Sequence, residues 1–133
     1  MKIQLFEQFS MDINRSEIGV NVLQVLSQIQ IYHWQTEKYG YHKTFDDFSD
    51  NFKENADKLL EVIQGRYGRI LLDDKTIIDI KNITELDPIK FCNDNLIIFN
   101  NYRKLYEHDE EIAAILDEIN AEFDRLKYLL SFE

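Results

Sequence analysis

The chain has little of the material from which cross-linked or turn-rich proteins are made. Among 133 residues there is one cysteine, Cys92, so an internal disulfide and a CxxC zinc site are both excluded. One proline and four glycines leave too few turn formers for a β-sandwich or barrel. Basic residues number 15 against 25 acidic ones, a formal charge of −10 with a sequence pI of about 4.7. That balance argues against nucleic-acid phosphates and anionic membrane surfaces as partners, and it suits a protein that collects cations. Apolar residues make up 44%, too many for disorder, yet they are too interrupted to span a membrane. Met1-Lys2-Ile3-Gln4-Leu5 runs straight into Glu7 and Gln8 without a basic-then-apolar leader, so a reducing cytoplasm is expected.

What the chain does have is helical periodicity. Ile18, Val22, Val25, Leu26, Ile29, Tyr32 and His33 share one face, starting after Ser16 and stopping near Tyr39-Gly40. A second stripe holds Phe45, Phe48, Phe52, Ala56, Leu59, Leu60 and Ile63, and Gly65 reads as its terminator. Asp87-Pro88 announces a third helix, with Ile89, Cys92, Leu96, Phe99, Tyr102 and Tyr106 facing inward. The acids Asp109-Glu110-Glu111 open a fourth, which carries Ile112, Leu116, Ile119, Phe123, Leu126 and Leu130. The expected helices are residues 17–36, 43–65, 88–106 and 109–131 of a single domain spanning 1–133. Short connections make two antiparallel hairpins, and residues 66–87 form a crossover whose Ile77, Ile78, Ile80 and Ile83 call for burial. This layout is an all-α, ferritin-like four-helix bundle. Leu5, Phe6 and Phe9 are expected to pack on the bundle or on a neighbour.

The residues with chemical potential are His33, His42, Asp57 and Glu61. Asp57 and Glu61 lie four apart, so both carboxylates project from one side of the second helix, with Glu54 and Asp50 extending the row. Such a row is commonly a solvated face, and a histidine beside an apolar stripe is commonly a core residue. Imidazoles with carboxylates are nevertheless a ligand set for iron, zinc or manganese. His42 and Asp57 are fifteen residues apart, roughly 22 Å along one helix, so one chain cannot close a site around both. A second subunit must supply half of it, as in a two-fold dimer. Asp117, Glu118 and Glu122 offer a weaker intrachain grouping with Glu54, Asp57 or Glu61. His108 reads as a loop residue, and Cys92 as a small buried hydrophobe.

Tyr32-His33-Trp34-Gln35, Tyr41-His42-Lys43-Thr44-Phe45 and the pair Asp57 and Glu61 together resemble the Dps family of mini-ferritins. His33-Trp34-Gln35-Thr36, Gln64-Gly65 and Tyr128-Leu129-Leu130 are also similar to the small Dps-like proteins of phages and other viruses. The resemblance implies a catalytic, metal-binding site with His33 and His42 from one subunit and Asp57 and Glu61 from its two-fold partner. It implies a ferroxidase that oxidises Fe(II) with peroxide or dioxygen at a mono- or di-iron site. The iron would be held in a homo-oligomer, at least a dimer and up to a twelve-subunit cage, guarding against oxidative damage. Trp34 would trap stray oxidising equivalents. The alternative is a metal-free helical bundle, derived from the same fold, with a structural or interaction role.

Overall fold

A computed structural model describes residues 2–132, with side chains from Arg15 through Phe132. Four α-helices follow in order, α1 (Lys2–Gln35), α2 (Tyr39–Tyr67), α3 (Pro88–Leu105) and α4 (Glu110–Leu130). Helix α1 packs on α2, α3 on α4, and α2 on α4, which makes a helical bundle consistent with the ferritin-like superfamily in general. The side chains of Leu5, Phe6 and Phe9 lie outside the described residues.

Local chemistry sets the helix ends. The Asp87 carboxylate accepts from the Ile89 and Lys90 backbone N–H groups, with Pro88 in the first turn, so α3 starts on a side-chain cap. Asp109 caps α4 in the same way through the Ile112 N–H. Helix α2 runs through Gly65 to Tyr67, two residues beyond the stop read from the sequence. Its terminator is Gly68, whose φ of 103° suits a residue without a Cβ, and whose N–H donates to Gln64 O at 2.9 Å. Gly40 likewise sits inside α2, and the break between α1 and α2 falls at residues 36–38.

An aromatic knot fills the centre. The Phe123 ring lies 5.3–6.2 Å from those of Phe48, Phe52, Phe91 and Phe99, so one α4 side chain ties together α2, α3 and α4. Tyr32 carries α1 into this cluster through Phe45 and Phe91. Its hydroxyl donates to Leu86 O at 2.7 Å, so burial leaves its polar tip satisfied. Cys92 is fully buried, and burial pushes its thiol up to about 12, so it is an inert core residue at neutral pH.

Residues 68–87 form neither helix nor strand and run alongside α1 as a strap. Side chains of α1 hold the strap by its backbone. Ser16 accepts from Leu71 N–H, Gln24 from Asp79 N–H and Gln35 from Ile83 N–H. Gln28 makes a two-way clasp, accepting from Lys81 N–H and donating to Lys81 O, both at 2.8 Å. The burial expected for the strap's isoleucines is met in part only. Ile78 and Ile83 are half-buried, whereas Ile77 is 81% exposed and Ile80 is 42% exposed. Because the strap is anchored through backbone amides, its side chains need not turn inward to hold it in place.

Candidate functional site

His33 and His42 meet at the corner between α1 and α2. The His33 Nδ1–H donates to His42 O at 2.9 Å, and the His42 Nδ1–H donates to His33 O at 2.8 Å. A carbonyl oxygen only accepts, so both rings are held with the proton on Nδ1. The rings stack at 3.8 Å, 18° from parallel, and Tyr39 stacks on His42 at 6.3 Å. The His33 carbonyl is one of the orphan acceptors at the end of α1, and His42 satisfies it. The pair therefore staples the corner. Nearby, the Tyr41 hydroxyl donates to Leu130 O at 2.5 Å and ties the end of α4 to the same corner.

Asp57 and Glu61 lie elsewhere, on the exposed face of α2. Asp57 takes an ion pair from Lys53 at 2.9 Å, one turn earlier on the helix. His42 and Asp57 share the continuous helix α2, so roughly 22 Å of helical rise separates them. The structure thus brings the two histidines together and leaves the two carboxylates apart from them. Asp117, from the weaker acidic grouping, is engaged by Arg103 at 3.1 Å.

The metal-oxidising reading does not stand. Among the described residues, no group of three or more His, Cys, Asp or Glu side chains could hold a metal ion. The donors present do not fit iron, zinc or manganese, so no ferroxidase activity, metal cofactor or iron store is carried forward. The imidazole Nδ1 atoms serve the backbone, and Asp57 serves a lysine on its own helix.

Two features escaped the sequence reading. At the corner between α3 and α4, Arg66 bonds to Asp109 and, at 3.1 Å, to Glu111, while the Tyr67 hydroxyl donates to Asp109 at 3.2 Å. Burial pushes the Asp109 carboxyl up, but the bonds from Arg66, the Ile112 N–H and Tyr67 outweigh it and hold the carboxyl below its ordinary value. An open cleft of about 460 Å³ lies over this lock, bordered by Tyr106 and His108. Only the place of Asp109 among the acids that open α4 was legible, because Arg66 is 43 residues away in the chain.

The second feature is the apolar surface at the other end. Trp34 is 68% exposed and Tyr39 75%, and the partly exposed Tyr128 and Phe132 rings meet at 5.0 Å. Tyr41, Leu129 and Phe132 line an open groove of about 550 Å³ with Lys38, Gly40 and Thr44.

Fold and site together define a helical-bundle protein built around packing and corner staples. Residues 33–130 match DUF5856, described as a family of unknown function, and the chain belongs to that family. No curated protein and no solved structure matches it. None of these findings ties the chain to the Dps family in particular. Among the described residues no helix is long and apolar enough to cross a membrane.

Proposed function

We propose that this protein is a metal-independent structural or interaction module that acts as a homo-oligomer, at least a two-fold dimer. The observation that carries this reading is apolar surface in excess of what the core uses. The central rings are fully buried, yet Trp34, Tyr39, Leu71, Leu72, Ile77, Ile80, Tyr128 and Phe132 remain exposed. Exposed apolar groups of this size, gathered along the strap and at one end of the bundle, favour association. In this reading α1–α2 and α3–α4 are antiparallel hairpins of one domain, with residues 68–87 as a ferritin-like crossover. The buried Cys92 thiol suits a reducing compartment such as the cytoplasm.

The test is light scattering coupled to size-exclusion chromatography, with and without EDTA. The expected result is a mass of two or more 15.9 kDa chains, unchanged by the chelator. A monomer at every concentration up to the millimolar range overturns the reading, as does an oligomer that dissociates on chelation.

A further inference from the structure

Contacts between α1 and α3 follow opposite chain directions. Asn21 Nδ2 donates to the Tyr102 hydroxyl, and eleven residues further along α1 the Tyr32 ring meets that of Phe91 at 5.5 Å. Phe91 and Tyr102 are also eleven apart, so the two contacts are in register. Between them α1 and α3 are not closely packed. A cleft of about 280 Å³ opens there, with Val25, Leu86, Phe91 and Ile98 as its apolar lining. Asp79 and Lys81 of the strap border it, held in place because Gln28 clasps the Lys81 backbone in both directions.

Two amides bring unspent hydrogen-bonding capacity to this cleft. Asn95 is 8% exposed and gives one Nδ2 hydrogen to Phe91 O at 2.9 Å. A carboxamide has two N–H donors and an oxygen with two lone pairs, so one N–H and the whole of Oδ1 are left over. Among the described residues nothing bonds to that oxygen, and unlike Asn120 Oδ1 it is not sealed inside the protein. Gln24, also on the lining, accepts from the Asp79 N–H with its Oε1 and keeps its Nε2 hydrogens. A nearly buried polar group gains stability when a partner satisfies it. The rim charges are already matched, Lys81 to Asp79 at 3.4 Å and Lys90 to Asp94 at 2.8 Å, so they call for no counter-ion. We propose that the cleft binds a small, neutral carboxamide with an apolar body. The ligand N–H donates to Asn95 Oδ1, its C=O accepts from the amide hydrogens of Gln24 or Asn95, and its body lies against Phe91 and Ile98. The cleft is smaller than the roughly 300–1,000 Å³ usual for drug-sized ligands, so it admits one ring or a branched chain and excludes a nucleotide. This site goes beyond the homo-oligomer proposed above and does not depend on it.

Benzamide is the probe, added to the full chain and followed by nuclear magnetic resonance. The expected result is saturable binding at about 1 mM, with contacts from the ring protons to the methyl groups of Val25, Leu86 and Ile98. Benzoate, which has no N–H to give, should bind about tenfold more weakly. Asn95→Leu keeps a similar side-chain size and suits a helix. It should weaken benzamide about tenfold while leaving toluene as tight or tighter. That contrast separates recognition by the carboxamide from the filling of an apolar space. Ile98→Trp fills the cleft and keeps Asn95, so it should abolish binding of both probes while circular dichroism reports an intact bundle. Undiminished benzamide binding in either variant overturns the proposal. So does a native chain that binds no benzamide up to about 20 mM, or one whose contacts are confined to Trp34 and Phe132 at the end of the bundle. None of these results bears on the mass of the native oligomer, so the two readings fail separately.

Discussion

Asp109 does two things at once, and pH separates them. Its carboxylate caps α4 through the Ile112 N–H and receives Arg66 and Tyr67 from the end of α2. The folded protein holds this carboxyl below the value of about 3.9 expected in the unfolded chain. A depressed carboxylate contributes stability above the unfolded value, and that contribution is lost as pH falls through the folded one. Asp109→Ala should therefore cost about 1 kcal/mol near pH 7, the usual cost of losing a helix cap. The gap between native and variant should begin to narrow as pH falls past the unfolded value of about 3.9 and should be lost as pH falls through the lower folded value. Urea denaturation midpoints measured from pH 7 down to pH 3 check this, and a gap that persists unchanged at pH 3 contradicts it. The His33–His42 pair teaches the complementary lesson at the same scale. Both histidines were legible as special, being polar rings at the ends of apolar stripes. What they do was not, because their partners are backbone carbonyls, which a sequence does not distinguish from one residue to the next.

Two glycines three residues apart should respond in opposite directions, because one lies inside a helix and the other ends it. Gly65 lies within α2, and a Cβ there would meet nothing within 4 Å. Gly65→Ala should stabilise the protein by about 0.5–1 kcal/mol, the helix propensity difference between the two residues. Gly68 takes φ 103° and ψ 169°, a region essentially reserved for glycine, so Gly68→Ala should cost about 1–3 kcal/mol. Thermal denaturation of both variants checks the pair, and equal shifts of the same sign would place the end of α2 elsewhere. Reading Gly65 as the terminator was reasonable from composition, since both residues follow an apolar stripe. The choice between them depends on φ, which the hydrophobic period does not encode. Helix α3 shows the contrast, because Asp87-Pro88 carries its own geometry in its side chains and marks the start at Pro88 without ambiguity. The strap was legible as a long connection over residues 66–87, although its first two residues belong to α2. Its exposure was not, because four isoleucines in a short span read as a demand for burial. The clasps from Gln24, Gln28 and Gln35 remove that demand.

The bundle as a whole depends on Phe123 more than on any acidic residue. Its ring touches Phe48 and Phe52 from α2 and Phe91 and Phe99 from α3, so it fills the space where three helices converge. The apolar stripes placed most of these residues inward from periodicity alone, because burial repeats with the helix turn and leaves a mark in the sequence. Phe91, one step off the expected stripe of α3, is buried as well, since the groove between α3 and α1 admits a second inward row there. Phe123→Ala removes a fully buried ring and leaves a cavity bordered by four others, none on a segment free to collapse into it. The cost should be about 3–5 kcal/mol, about a fifth or more of the roughly 5–15 kcal/mol that holds a domain of this size together. Phe123→Leu keeps most of the volume and should cost well under half as much. Chemical denaturation of the two variants, followed by far-ultraviolet circular dichroism, separates them. If both lose the same small amount, the aromatic knot is not the centre of the bundle. If Phe123→Ala alone collapses cooperativity, α2, α3 and α4 stand on one side chain.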